Sequence, residues 1–468
     1  MVHYGFITQN QADVASNFQH HIRPIHRRNV SYSYAMDAIR IELNRVLEEH
    51  NIQLGGLKIY TTIDASLQQK AEESIDRNLR AVERLPGYSH PTRASFMNQS
   101  NNKPQNPNYI QGAVVCIENA SGAVLSVVGG RDANQSQFNR ALYAKRQIGS
   151  IFKPFVYLAA FNQGMQPGQY ISDLRIKPGE IDRAQPSWSP ANSSGRYQSI
   201  ITAQQALAQS KNTSSVRVGD SAGLESIQTL AAKAGFDRSV PNTPSAFLGA
   251  FESTPWDVAA AYTIFPNGGV KYRPYLIEKI VDRDGNIVYP GSGQIPYVVS
   301  SPGATWNVSN TLREVVQTGT ASALASKHQF NFDAGAKTGT TDNYKDAWFA
   351  GFTSSITCVV WVGLDTPKRT INRGYGSTLA MPIWADVVNY ASRHGYRAQS
   401  LAPQFPFQSA TLCRITSQHA TQGCQHRQLA YRAQVPVDEN PKYTCDRHPS
   451  KAQVITPNRQ PARAIPVE

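Results

Sequence analysis

Apolar positions along the chain keep helical spacing in some stretches and alternate in others, and the order of the two patterns outlines a fold. The first 54 residues read as helical and charged, most clearly in "YAMDAIRIELNRVLEEHNIQL". A Gly-Gly break follows, and "GGLKIYTTID" then alternates β-formers as a strand does. "SLQQKAEESIDRNLRAVERL" returns to helical spacing, with Asp64 or Ser66 placed to cap it. Beyond a loop rich in Asn, Ser and Pro, "QGAVVCIENASGAVLSVVGG" sets two apolar runs around "NASG", the pattern of a hairpin. Residues 200–236 and 251–266 are helical in pattern, and "YLIEKIVDRDGNIVY" is a second hairpin turning at Asp284-Gly285. "TLREVVQTGTASALAS" predicts a helix, "DAGAKTGTTDNYKDAWFAGFTSSITCVVWVGLD" three successive strands, and "MPIWADVVNYASRHG" a closing helix. This order predicts an α/β fold of the α+β type, an antiparallel sheet packed between helices. From about residue 437 the chain turns polar and Pro-rich, which predicts disorder.

One helix carries chemistry at its head. In "RQIGSIFKPFVYLAAF", Phe152, Phe155, Val156 and Ala159 keep helical spacing, Gly149 breaks the chain just before, and Pro154 is tolerable only in a first turn. Ser150 and Lys153, three residues apart, share one face. Alone, such a pair reads as a cap beside a surface lysine. Ser210-x-Asn212 in "AQSKNTSS" and Lys337-Thr338-Gly339-Thr340 in "AKTGTTDN" would likewise read as a helix-end turn and a strand. Together and in this order, S-x-x-K, S-x-N and K-T-G form the signature of penicillin-interacting serine acyltransferases.

That chemistry needs these residue types. A serine hydroxyl becomes a nucleophile when a base takes its proton. Lys153 serves as the base when neutral, and burial together with a nearby cation, Lys337, depresses its pKa. Ser210 can relay a proton to the leaving amine, and Asn212 can hold Lys153 and the substrate amide. Lys337, Thr338 and Thr340 are expected on an edge strand that binds a substrate carboxylate and pairs with its backbone, with Gly339 permitting close approach. The N–H groups of Ser150 and Thr340 are expected to form an oxyanion hole.

Longer stretches carry a more specific likeness. "GGLKIYTTIDASLQQKAEES", "SQFNRALYAKRQIGSIFKPFVY", "WSPANSSGRYQSIITAQQALAQSKNT", "AFESTPWDVAAAYTIFPNGG", "AKTGTTDNYKDAWFAGFT" and "GSTLAMPIWADVV" resemble the transpeptidase half of class A, bifunctional, penicillin-binding proteins. The resemblance implies Ser150 as nucleophile, Lys153 as base, Ser210 and Asn212 as relay, and Lys337, Thr338 and Thr340 as carboxylate binders. It implies no cofactor and no catalytic metal. The implied partners are peptidoglycan stem peptides ending in D-Ala-D-Ala, β-lactams and other cell-wall synthesis proteins. In the family a membrane anchor and a glycosyltransferase domain come first, and "MVHYGFITQNQADVAS" resembles the end of that region. The chain is therefore expected to begin inside a larger protein. Residues 1–54 would be a remnant and linker, 55–110 an inter-domain region, 111–400 the transpeptidase domain and 401–468 a C-terminal extension. The implied location is the periplasmic face of the inner membrane, through an anchor not in this chain, and no glycosyltransferase activity is expected from these residues alone.

Related activities share the motifs. A class A β-lactamase needs a deacylating glutamate, often in E-x-x-x-N, between S-x-N and K-T-G. Glu225, Glu252, Glu278 and Glu314 fall there, and none has Asn four residues on. A D,D-carboxypeptidase differs only in using water as acceptor. A non-enzymatic β-lactam sensor would need a tether and a signalling partner.

Composition changes this picture little. An apolar content of 40% in 468 residues supports a large core, and the formal charge of +13 is spread without the aromatic-interleaved basic run of a nucleic-acid binder. Neither a signal peptide nor a stretch of about 18 apolar residues is present. Of five cysteines, Cys116 and Cys358 lie in strand-like apolar runs as core residues. Cys413, Cys424 and Cys445 crowd the polar C-terminal part and are expected to give one disulfide, Cys413–Cys424, and one odd thiol. A zinc site with His426 and His448 lacks the paired C-x-x-C spacing that would favour it.

Overall fold

Five antiparallel strands form the central sheet: β1 (Gln111–Glu118), β2 (Val124–Val128), β3 (Gly335–Thr340), β4 (Asp346–Phe352) and β5 (Ile356–Gly363), in the spatial order β3-β4-β5-β1-β2. They belong to a computed structural model that describes residues 1–17, 32–53, 55–99, 106–236, 240–291, 293, 295–403 and 405–449. Every residue of β4 and β5 is buried, so these strands read as continuous apolar runs rather than as alternation. Parity still sorts the faces. Phe349 meets Trp384 on one side, and Phe352 stacks on Phe265 on the other.

The first face is covered by α1 (Ala65–Val82), capped by the Asp64 carboxylate on the N–H groups of Ser66 and Leu67, and by its neighbour α7 (Met381–Arg393). The other face carries the helices that build the site. These are α2 (Lys153–Asn162), α3 (Ala203–Ala208), α4 (Asn212–Ala222), α5 (Pro255–Tyr262) and α6 (Pro302–Gln317). Residues 153–161 of α2 are buried on every side, which makes α2 a core helix rather than an amphipathic one. Phe155 packs against Phe236, Tyr262 and Phe265, and Phe152 against Phe251.

Three expectations change. The helix expected in "TLREVVQTGTASALAS" begins earlier, capped by Ser301 with Pro302 at its first position, and ends at Gln317. Gly319 follows, where a Cβ would stand 2.8 Å from the Ala208 carbonyl oxygen, and a separate helix spans Ala323–His328. Residues 1–54 divide at 32/33. Among the described residues up to Tyr32 there are a 3-10 turn, Val2–Tyr4, and a helix, Gln9–Asn17, neither with a buried residue. The helix Tyr34–Glu49 instead buries Ala38 and Ile39 in the main core, and its Glu42 accepts the N–H groups of Leu276 and Ile277. Disorder from about 437 fails for residues 437–449. Glu439 accepts the Gly303 N–H, and Cys445 is buried. Residues 450–468 lie outside the described residues.

The extension is built on a hairpin of β6 (Phe407–Cys413) and β7 (Ala430–Pro436). Its three cysteines are free thiols, so the Cys413–Cys424 disulfide is not formed. Among the described residues, no helix is long and apolar enough to cross a membrane.

Candidate active site

Ser150 sits half-buried in a 3-10 turn, Gly149–Phe152, that runs directly into α2. Pro154 falls in the first turn of that helix, where no backbone donor is missed. The turn is clamped from several sides. Gly149 adopts φ +55°, donates its N–H to the Gly249 carbonyl at 3.0 Å, and approaches β3 so closely that a Cβ would lie 3.2 Å from the Thr340 carbonyl oxygen. Gly249, at φ +72°, leaves no room at all: its Cβ would fall 2.1 Å from the Gly149 carbonyl oxygen. The buried Tyr262 hydroxyl donates to the Ile151 carbonyl at 2.5 Å. Just upstream, Arg146 is ion-paired with Asp346 at 2.7 Å, and Trp348 Nε1 donates to the Gln147 carbonyl.

Lys153, the first residue of α2, is fully buried, and its Nζ reaches the Ser210 carbonyl at 2.8 Å, Asn212 Oδ1 at 2.6 Å and Ser210 Oγ at 3.4 Å. Lys337 enters from β3, the edge strand of the sheet, as expected. It too is fully buried, and its Nζ donates to Ser210 Oγ at 2.8 Å and to the Thr338 carbonyl at 3.1 Å. The two lysines therefore converge on one hydroxyl. Burial drives Lys153 well below its ordinary pKa and the Lys337 cation adds to this, against a smaller opposing effect of Asp173. Burial alone brings Lys337 down to about 7.

Ser210 owes its position to a helix end. It follows α3 in the left-handed conformation (φ +56°), with its N–H on the Leu207 carbonyl and that of Lys211 on the Ala206 carbonyl. Glycine usually occupies such a position, and a side chain held there is strained. On the edge strand, Thr338 Oγ1 lies 2.9 Å from Thr320 Oγ1, and Thr340 Oγ1 accepts the Gly376 N–H at 3.0 Å. Gly339 packs with no room for a side chain: a Cβ would stand 3.0 Å from both Ile151 and Trp348.

The residues that hold S-x-N in place escaped the sequence reading. Lys211 is a buried cation paired with Asp173 at 2.9 Å. Asp173 also accepts from Thr213 Oγ1 (2.6 Å), Asn192 Nδ2 (2.7 Å) and the Gln198 N–H (3.0 Å). Burial raises its pKa, but the hydrogen bonds from Thr213, Lys211, Asn192 and Gln198 outweigh that and hold it below the usual carboxylate range. Asn192 Oδ1 in turn accepts the N–H of Asn212 at 2.7 Å, and Asn212 Nδ2 donates to the Ala191 carbonyl at 2.6 Å. That last bond turns Asn212 Oδ1 toward Lys153. Neither Asp173 nor Asn192 carries a local motif; Asn192 falls in the stretch "WSPANSSGRY" that resembles the family, and Asp173 in none of those stretches.

Comparisons with known proteins identify the family and the fold. The family described as "Penicillin binding protein transpeptidase domain" matches residues 112–389. Penicillin-binding protein 1A of Neisseria gonorrhoeae is 40% identical over 288 residues, 60% of this chain and 36% of that protein. Penicillin-binding protein 1A of Pseudomonas aeruginosa is 32% identical over 334 residues, 60% of this chain and 40% of that protein. The chain thus spans under half the length of these curated relatives. Among solved structures, penicillin-binding protein 1A from Haemophilus influenzae aligns with a TM-score of 0.72 at 22% identity, covering 95% of this chain and 81% of that one. PonA1 from Mycobacterium tuberculosis in complex with penicillin V aligns at 0.64 and 24% identity, covering 79% and 94%. At such identities these two establish the fold.

Proposed function

This chain belongs to the penicillin-binding protein transpeptidase family, and we propose that it is a serine D,D-transpeptidase that cross-links peptidoglycan stem peptides and is acylated by β-lactams at Ser150. The observation that carries this reading is the convergence of Lys153 and Lys337 on Ser210, with Ser150 one turn from Lys153. A neutral Lys153 has two N–H bonds and one lone pair. With the hydrogens on the Ser210 carbonyl and Asn212 Oδ1, the lone pair is left to take the Ser150 proton.

In the first half-reaction Ser150 Oγ attacks the carbonyl of the penultimate D-Ala and its proton passes to Lys153. The oxyanion forms between the N–H groups of Ser150 and Thr340. Collapse breaks the peptide bond, and the proton returns through Ser210 Oγ to the departing D-Ala amine. An amine from a neighbouring stem peptide then attacks the acyl-enzyme and loses its proton to Lys153, which passes it to Ser150 Oγ as the ester bond breaks and the new amide forms. The terminal carboxylate of the donor would lie by Lys337, Thr338 and Thr340. Its arrival favours the protonated form of Lys337, and that cation keeps Lys153 neutral. This reaction belongs on the periplasmic face of the membrane, where stem peptides are joined.

Incubation with a pentapeptide donor ending in D-Ala-D-Ala and an amine acceptor tests the reading. Cross-linked product with one D-Ala released per bond is expected. Release of D-Ala with only hydrolysed tetrapeptide would make the protein a carboxypeptidase.

A further inference from the structure

We propose that Cys413, Cys424, Cys445 and His448 form a structural zinc site that closes the C-terminal extension. The four residues come from three segments: the end of β6, the short helix Gln422–His426, and the turn after Thr444. The three thiols and His448 Nδ1 all lie within 4.8 Å of one another. A tetrahedral zinc with Zn–S of about 2.3 Å and Zn–N of about 2.0–2.1 Å sets each sulfur about 3.6 Å from the nitrogen. The sulfur–nitrogen distances here are 3.5 Å for Cys413, 3.6 Å for Cys424 and 3.3 Å for Cys445. The geometry of a single ion is already present in the side chains.

Burial and chemistry narrow the choice. The three cysteines are at most 1% exposed and His448 is 8% exposed. Three thiolates and an imidazole suit zinc, whereas calcium and magnesium take oxygen. Four protein donors leave no position for water, so the site is structural rather than catalytic. The backbone is shaped for it. The Ile415 N–H points at Cys413 Sγ at 3.4 Å, as in a knuckle turn, and the Thr421 hydroxyl lies 3.4 Å from Cys424 Sγ. Gly423 permits the return of the chain, since a Cβ there would come within 2.5 Å of the His448 carbonyl oxygen. Cys445-x-x-His448 places two ligands on one short turn without a C-x-x-C pair, and His426 is exposed and outside the cluster.

The extension also needs such a fastening. Among its described residues, the hairpin's own apolar cluster has only Ala410, Leu412 and Val435 as buried members, too few to hold a hairpin and a returning tail. Besides the Glu439–Gly303 bond, docking bonds leave from the turn beside Cys413. Tyr170 donates its N–H to the Arg414 carbonyl at 2.7 Å, Arg414 Nη1 donates to the Gly168 carbonyl at 3.0 Å, and Ser417 Oγ donates to Gln169 Oε1 at 2.6 Å. Those partners lie between the end of α2 and Asp173. Binding would expel the thiol protons and fix this turn against the body of the domain.

The whole chain, purified without chelator or reductant, tests this by elemental analysis and thiol mapping. One zinc per chain is expected, with Cys413, Cys424 and Cys445 shielded from alkylation until a chelator is added. Cys424→Ser and His448→Ala should each lower bound zinc at least about tenfold, while His448→Cys, which restores four donors, keeps it. Cobalt(II) added to stripped wild-type protein should give thiolate-to-metal absorption, a readout independent of whether a variant folds. A disulfide between any two of the three cysteines in the native chain, zinc retained by Cys424→Ser and His448→Ala alike, or folded wild-type protein that takes up neither metal, would each overturn the site.

Discussion

The cleft around Ser210 and the cysteine cluster of the extension both gather buried ionisable groups from distant segments, yet they handle charge in opposite ways. Several buried cations elsewhere are paired, Lys211 with Asp173, Arg140 with Asp365, Arg146 with Asp346 and Arg131 with Glu83, whereas buried Lys271 donates to the Ala234 carbonyl. Among the described residues, Lys153 and Lys337 have no carboxylate within ion-pair distance. They share the oxygens of Ser210, Asn212 and Thr338 instead. The cysteine cluster instead gathers three thiols around one imidazole. On the readings proposed above, a substrate carboxylate would complete the cleft and a metal ion the cluster.

The largest test of that contrast removes the nucleophile. Ser150→Ala should lower penicillin acylation by about 10⁶-fold, as loss of a nucleophile does, with stability within about 0.5 kcal/mol of wild type. Covalent label recovered elsewhere on the folded protein would place the nucleophile at a different residue.

Lys153→Arg keeps a cation but can supply no neutral base. Acylation should fall by about 10²–10⁴-fold. The wild-type rate should also fall on acidification, as Lys153 takes up its proton. An unchanged rate in the variant would make Lys153 a structural residue only.

Asp173→Asn probes the paired kind of cation. It leaves Lys211 buried without a counter-charge, and chemical denaturation should show a loss of about 3–5 kcal/mol. A loss below 1 kcal/mol would mean that the Thr213 and Asn192 bonds, not the charge, hold this anchor.

The unpaired kind gives a pH dependence. Below about 7, Lys337 is protonated in the folded and unfolded chain alike and contributes no slope. Between about 7 and its ordinary value of 10.5, the unfolded chain holds a proton that the folded one lacks, so stability rises with pH. Lys337→Met should flatten that rise by a few kcal/mol across the window. An equally steep rise in Lys337→Met would assign the linkage to Lys153 or Lys271.

The smallest effect is expected from a chelator on acylation itself. Stripping the extension should speed its proteolysis while changing the acylation rate by only about twofold, because the tail holds Gln166–Tyr170 and not Ser150. A tenfold loss would join the two regions into one unit.

Legibility followed sequence distance. S-x-x-K, S-x-N and K-T-G are local strings, and the sheet, the Asp64 cap and the Pro154 boundary follow from local pattern. Asp173 is different. Its role depends on Lys211, 38 positions away and brought to it by a short strand pair, Tyr170–Ser172 with Ile200–Thr202. The tail after 437 misled for another reason. Composition averages over many residues, while the energy that can order this segment is concentrated in Cys445 and His448. The expected helix from Thr311 onward ran past Gly319, where the chain packs closely on Val315 and on Ala208, over 100 residues earlier.

Gly149 and Gly249 set a limit on how this enzyme can change. Both sit at positive φ, and a side chain on Gly249 would meet the backbone of Gly149 while one on Gly149 would meet the backbone of Thr340. Neither obstacle is a flexible group that could step aside. A population selected for slower acylation by a drug therefore has almost no freedom in the turn that carries Ser150. Its adaptive variation should fall on the largely exposed loop 182–196, whose exposed Ala191 accepts the Asn212 side-chain amide.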